Sequence, residues 1–241
     1  MDQDRVQLGI VIPAYNEEAG VEQILRSVIQ TIEELAIRAE VIVVNDGSVD
    51  RTAEIVDRLA EELSGFQVFH QENRGIGGAL TTGFSHSTAE YLLIWPADLP
   101  MEPEDLRPFT EKLGAADVIV GCRIKRLGYN PLMRLNAAIY PVLVRLLFGL
   151  RLKDVNWIHL YNGDMMRRTR LTQTGIPMLT EALVRLRDQG ATSCQIDVHM
   201  KPRQAGVASA SRFSVMVKTL RGLLQFWRLW RREQSAQPPR A

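Results

Sequence analysis

Two aspartates in the first hundred residues follow apolar runs: Asp46 after Val41-Ile42-Val43-Val44, and Asp98 after Tyr91-Leu92-Leu93-Ile94. If both runs are parallel strands, both carboxylates stand at carboxyl ends, where open α/β sheets bind ligands. One carboxylate there can accept hydrogen bonds from a nucleobase or ribose. The other can hold a divalent cation against a diphosphate. Each also has a plainer reading, Asp46 as a turn and helix-cap residue in Asn45-Asp46-Gly47-Ser48, and Asp98 as a loop residue. Asp98 lies in Trp95-Pro96-Ala97-Asp98-Leu99-Pro100, and Pro96 stands where a second carboxylate would complete a metal clamp.

Other groups carry weaker chemistry. Gly75-Ile76-Gly77-Gly78 lacks the spacing of a dinucleotide fingerprint and reads as a flexible helix start. His159, among Trp157, Leu160 and Tyr161, reads as a partly buried structural histidine, with a base or acceptor contact as the alternative. Trp157 suits a core or an acceptor pocket. Glu102, Glu104 and Asp105 fit the first turn of a helix, where acids are favoured. Cys122 and Cys194 are the only cysteines and read as small apolar fillers. They form no metal motif and point to a reducing, cytosolic setting, and no signal peptide precedes the first strand.

The elements that must hold these residues alternate. Residues 8–12 read as a strand ended by Pro13. Asn16-Glu17-Glu18 opens a helix with Val21, Ile24, Leu25, Val28, Ile29 and Ile32 at helical spacing. Residues 41–44 form a second strand, and the 45–48 turn caps a helix carrying Thr52, Ile55, Val56, Leu59 and Leu63. Residues 66–69, 91–95 and 117–121 read as further strands, and 73–78 opens the helix before the fourth. Strands apolar on both faces, separated by helices, imply an α/β fold with a mainly parallel sheet flanked by helices. The second half is less regular, with helices over 132–150 and 181–189 and a strand over 196–200. An amphipathic helix spans 213–232. Phe213, Met216, Val217, Leu220, Leu223, Leu224, Trp227 and Trp230 form one stripe; Lys218, Arg221, Gln225, Arg228 and Arg232 form the other.

A net charge of +1 conceals a division. Residues 1–117 hold 8 basic and 22 acidic side chains; residues 118–241 hold 21 and 6. No acid occurs from Val118 to Lys153 or from Val198 to Arg232. Such asymmetry fits an anionic partner of the second half. Nucleic acid is not favoured, because the basic half has no recognised motif. No apolar run reaches the roughly 18–20 residues of a membrane span. The 213–232 helix suits a bilayer surface or packing on its own domain or a second copy, so homo-oligomers remain an option.

In combination and order, residues 11–18 (Val-Ile-Pro-Ala-Tyr-Asn-Glu-Glu), 44–52 (Val-Asn-Asp-Gly-Ser-Val-Asp-Arg-Thr), Asn73-Arg74-Gly75 and Ala97-Asp98-Leu99 resemble family 2 glycosyltransferases. The nearest branch is the dolichol-phosphate mannosyltransferase-like, polyprenyl-phosphate group. The likeness is close over about residues 7–125 and loose over 126–212. It implies a GT-A (Rossmann-like) fold, a UDP- or GDP-sugar donor and inversion at the anomeric carbon. By position, Pro13, Tyr15, Glu17 and Val44 would line the donor pocket and Asp46 would contact the base. Pro96, Ala97 and Asp98 would lie by the ribose and diphosphate, with Asp98 the metal ligand. Arg123, Asp154 and Ser209 would face the acceptor or phosphates, and Arg203, in a late basic segment, would clamp the diphosphate. Ser211 also falls near the family's usual serine. The resemblance makes residues 1–212 a transferase domain and favours a place on the cytoplasmic membrane face; apolar periodicity and polar, Pro-rich composition add a basic amphipathic helix (213–233) and a disordered tail (234–241).

The sequence departs from the family's Asp-x-Asp-Leu-Gln at Pro96 and Pro100, which removes two oxygen ligands. Mg²⁺ or Mn²⁺ is then expected to bind weakly or to be dispensable, with Arg123 and Arg203 as substitute clamps. A phosphate acceptor suits this site, since a phosphate monoester is largely dianionic at pH 7 and attacks without a protein base. The alternatives are transfer to a sugar or natural-product hydroxyl, or a non-catalytic nucleotide-binding homologue.

Overall fold

The computed structural model describes residues 6–99, 101–124, 129, 131–198 and 213–236. Its strands are β1 (Leu8–Ala14), β2 (Ala39–Asp46), β3 (Phe66–Gln71), β4 (Tyr91–Ile94), β5 (Val118–Arg123), β6 (His159–Asn162) and β7 (Ser193–Val198). Its helices are α1 (Val21–Glu34), α2 (Thr52–Glu62), α3 (Ile76–His86), α4 (Pro103–Thr110), α5 (Pro131–Phe148), α6 (Gly163–Arg168), α7 (Pro177–Asp188) and α8 (Phe213–Ala236). The strands form one sheet in the order β3-β2-β1-β4-β6-β5-β7. β6 runs antiparallel to both neighbours and the other pairs are parallel.

The alternation of side chains along each strand fills both faces. Leu8, Ile10 and Ile12 of β1 join the apolar sides of α1, α2 and α4. Val11 points the other way, into a second core with Leu80 and Phe84 of α3 and residues of α5, α7 and α8. Because β1, β2 and β4 are parallel neighbours, their carboxyl ends share one edge of the sheet. β5 also ends on that edge, since β6 opposes both it and β4.

Several local expectations shift. β1 continues through Pro13, which pairs with Val44. Val11 O accepts from Trp95 N, so Pro13, two residues on, turns its missing N–H to the side where β4 has already ended. α1 begins at Val21, not at Asn16, because the 16–18 backbone is bonded elsewhere. The 45–48 turn does not cap α2; that helix starts at Thr52, whose N–H and hydroxyl bond Asp50 Oδ1 at 3.0 and 2.6 Å. β7 lies three residues earlier than its apolar signal, because as an edge strand pairing only β5 it carries polar Ser193 and Gln195. β6 and α6 are four and six residues long and left no periodic signal, although Asn162 caps α6 by accepting from Met165 N at 3.1 Å.

α8 runs to Ala236, so residues 234–236 are helix, not tail, and Gln234 bonds Asp188 at 3.0 Å. Its packed side is rotated from the expected stripe. Thr219, Leu223 and Phe226 are buried, while Leu224 is 41% exposed. Phe226 stacks on Phe148 at 5.1 Å, Trp230 donates to Asp188 at 2.6 Å, and Arg185 bonds Glu233 at 3.0 Å. Among the described residues, no helix is long and apolar enough to cross a membrane.

Candidate functional site

The loops after β1 and β2 are bonded to each other. Asn16 N donates to Ser48 Oγ (3.0 Å), Glu17 N to Thr52 Oγ1 (2.8 Å) and Glu18 N to Asp50 Oδ2 (3.1 Å). In return, Val49 N donates to Asn16 Oδ1 (2.9 Å) and Arg51 N to Glu18 Oε2 (3.0 Å). Asn16 takes a left-handed φ of 55° to allow this, a conformation its short amide tolerates. The polar residues of the two motifs therefore fix loop shape, a role the sequence reading did not assign them. They leave Tyr15 48% exposed above the ends of β1 and β2. Glu17 is partly buried, and Pro13 and Val44 sit side by side in register beneath.

Asp46 is 3% exposed. Its Oδ1 accepts from Gln71 Nε2 (2.6 Å) and from Arg74 N (2.8 Å), and Gln71 in turn accepts from Thr82 (2.6 Å). The carboxylate thus fixes the entry to α3. The glycines there are not a flexible start. Gly77 N donates to Thr174 O at 2.7 Å, and a Cβ at Gly77 would lie 2.7 Å from the Thr174 carbonyl carbon. Gly75 adopts φ 76°, which favours glycine. The 172–174 segment is held in turn by Glu181, a wholly buried carboxylate accepting from Thr172 N, Thr172 Oγ1, Gln173 N and Arg185 Nε at 2.8–2.9 Å. In the sequence Glu181 carries no signal of this role, since a lone acid on a helix looks like a solvated one.

After β4, Trp95 is buried to 1% exposure and its Nε1 donates to Leu99 O at 2.7 Å, closing the turn. Ala97 and Leu99 face the core, while Pro96 and Asp98 are partly exposed at the strand end. Pro96, Ala97 and Asp98 thus share the sheet edge with Asp46. Among the described residues, no three His, Cys, Asp or Glu side chains gather to hold a metal. The donor set is one carboxylate, which fits Mg²⁺ or Mn²⁺ only where a diphosphate and water complete the shell.

Arg123, at the end of β5, bonds Asp154 edge to edge: Nε to Oδ2 and Nη2 to Oδ1, both 2.6 Å. Nη1 donates to Tyr129 Oη at 2.5 Å, and the guanidinium lies 5.3 Å from the Trp157 ring centre. The edge that would grip a diphosphate is therefore occupied by Asp154, which corrects the expectation of Arg123 as a bidentate clamp. The structure does join Arg123 and Asp154 at one place. His159, predicted as partly buried, is wholly buried, and its Nδ1 meets Tyr161 Oη at 2.8 Å. Burial, with Arg123 adding to it and Asp154 opposing, lowers its pKa to about 4. Burial also pushes Tyr140 up to about 12, against its hydrogen bonds with Thr180 and Asn156. Asn156 Oδ1 and His159 Nε2 are buried with no partner among the described residues. Pro100, Arg203, Ser209 and Ser211 lie outside the described residues.

Comparison with known proteins gives this edge a lineage. The chain is 34% identical over 157 residues to glycosyltransferase AglD of Haloferax volcanii, covering 62% of this chain and 25% of that one. It is 26% identical over 217 residues to undecaprenyl-phosphate 4-deoxy-4-formamido-L-arabinose transferase of Salmonella choleraesuis, covering 87% and 63%. The chain therefore spans a quarter of the first relative's length and under two thirds of the second's. Glucosyl-3-phosphoglycerate synthase of Mycobacterium tuberculosis, solved with Mn²⁺, UDP and glucosyl-3-phosphoglycerate, has the same fold at a TM-score of 0.69 and 19% identity, covering 91% of this chain and 79% of that one. That shared fold is GT-A-like. The family model described as "Glycosyl transferase family 2" matches residues 9–188, from β1 to the end of α7 and across the ends of β1, β2, β4 and β5, and the chain belongs to that family.

Proposed function

We propose that this glycosyltransferase moves a sugar, with inversion, from a UDP- or GDP-sugar to a polyprenyl phosphate. The observation that carries the acceptor choice is His159. It is wholly buried, away from any acceptor hydroxyl, and that burial also makes it a weak base. A phosphate dianion needs no such base. One acceptor oxygen forms a bond to the anomeric carbon, and the bond to the donor diphosphate breaks with its electron pair on the β-phosphate oxygen.

The chain's residues then position and stabilise. Pro13, Tyr15, Glu17 and Val44 line the donor side, and Asp46 fixes the α3 entry against which the base sits. Pro96 and Ala97 shape the ribose and diphosphate site. Asp98 would hold Mg²⁺ or Mn²⁺, which when bound neutralises the leaving diphosphate. Arg123, oriented by Asp154, presents its remaining N–H groups and field to the acceptor phosphate, and the resemblance assigns Ser209, outside the described residues, to the same phosphate. Arg203 clamps the diphosphate. The enzyme works at the cytoplasmic membrane face, and the exposed Lys218, Arg221, Arg228 and Arg232 of α8 bring that helix toward anionic headgroups. Relatives named for undecaprenyl phosphate and a fold neighbour solved with UDP support this reading.

The test is transfer of labelled sugar from UDP- and GDP-sugars to undecaprenyl phosphate in detergent. A base-stable lipid-linked product is expected. Transfer only to a sugar hydroxyl would overturn the acceptor. Pro96 favours one other reading, a non-catalytic nucleotide binder, and nucleotide-dependent thermal stabilisation without turnover on any acceptor would establish it.

A further inference from the structure

α5 has two apolar sides, and only one is covered. Tyr140, Val144 and Phe148 bury into the core shared with α7 and α8. Leu135, Ile139, Val142 and Leu146 are 56%, 44%, 54% and 75% exposed. At 3.6 residues per turn these four fall within an arc of roughly 60°, opposite the packed side. Single exposed aliphatics are ordinary, but a continuous stripe over three turns marks an interaction surface.

The rim identifies the occupant. Arg134 and Arg145 are exposed on α5, roughly a quarter-turn from the stripe. Exposed Arg151 and Lys153 follow it, and no acid occurs from Val118 to Lys153. An apolar face edged by cations is the form of a helix lying in an anionic bilayer surface. A two-fold contact with a second copy would set this basic rim against itself. α8 adds basic charge at such a surface but is the poorer candidate for insertion, because Leu223 and Phe226 are buried and Leu224 is the one large apolar side chain it exposes among the described residues.

We propose that α5 docks on anionic lipid, with Leu135, Ile139, Val142 and Leu146 entering the acyl boundary and Arg134 and Arg145 meeting lipid phosphates. α5 starts at Pro131, two residues beyond Tyr129, whose hydroxyl holds Arg123. Docking therefore brings that end of the site toward a phosphate carried in the membrane. This consequence rests on the polyprenyl-phosphate reading, whereas the docking does not.

The test is cosedimentation of the full chain with phosphatidylglycerol/phosphatidylcholine vesicles that contain no polyprenyl phosphate. Substituting all four stripe residues with serine should weaken binding by about tenfold or more. Arg134→Gln with Arg145→Gln should remove the part that salt screens. Unchanged sedimentation of the four-serine variant would overturn the proposal. So would loss of an oligomer, by light scattering, with vesicle binding intact. If that variant fails to fold, a fluorophore on Leu146→Cys in a Cys194→Ser background decides. Quenching by brominated lipid is expected, and no quenching on bound protein overturns the docking. Sugar transfer in detergent is scored separately, so failed transfer with intact docking refutes only the function, and the reverse refutes only the docking.

Discussion

Arg123 and Asp154 face each other edge to edge, with two nitrogen–oxygen distances of 2.6 Å and side chains only 10% and 4% exposed. Removing one partner from such a buried pair leaves a charge without compensation. Asp154→Ala is expected to cost about 3–5 kcal/mol of unfolding free energy. Arg123→Met with Asp154→Leu should cost far less than the two single changes added together. Urea denaturation of the four proteins measures the coupling. Additive losses would mean that the pair is not the unit described here.

His159 sets a pH dependence. Its folded pKa, about 4, lies below the ordinary 6.5. Between these values the unfolded chain binds more protons, so stability rises with pH across this window and is lost as pH falls through it. The full contribution is about 3 kcal/mol above pH 6.5. Urea midpoints from pH 4.5 to 7 should show this slope, and His159→Asn should flatten it.

Asp46→Ala leaves Arg74 N and Gln71 Nε2 without their acceptor. A loss of about 1–3 kcal/mol is expected, with weakened nucleotide binding. Asp46→Asn keeps an acceptor and should be milder. Calorimetric melting and nucleotide titration read the two effects. Equal losses for Ala and Asn would assign the effect to charge instead of hydrogen bonding.

Gly77→Ala places a methyl 2.7 Å from the Thr174 carbonyl carbon. Overpacking of this kind costs about 1–3 kcal/mol, and here it pushes α3 from the 172–174 segment. Melting temperature should fall, and nucleotide-induced stabilisation should shrink with it. Gly175→Ala, where the added methyl would meet its nearest neighbour at an ordinary 3.5 Å, serves as the control.

The metal site can be rebuilt. Pro96→Asp sets a second carboxylate two residues before Asp98. If Asp98 holds a cation on the diphosphate, this change should tighten Mn²⁺ dependence of UDP or GDP binding by about tenfold. Asp98→Asn should abolish the Mn²⁺-dependent part. Isothermal titration with and without EDTA reads both, and no Mn²⁺ effect in any variant would favour a metal-free site.

The amino-acid sequence by itself determined the alternating first half. β-branched runs such as 41–44 have one stable use, a strand buried on both faces, and the helical spacing of Val21, Leu25, Val28 and Ile32 has one as well. Those local signals alone place Asp46 and Asp98 after strand ends. Tertiary structure alone decided three things. It decided which side of α8 is buried, because packing on Phe148 and Asp188 selects Phe226 and Trp230 over Leu224. It inserted β6 antiparallel between β4 and β5, since a four-residue strand gains its stability from two neighbours and not from its own pattern. And it joined Glu181, Thr174, Gly77 and Arg74 to Asp46 across more than a hundred residues of chain, because hydrogen bonds between distant segments leave no period in the sequence.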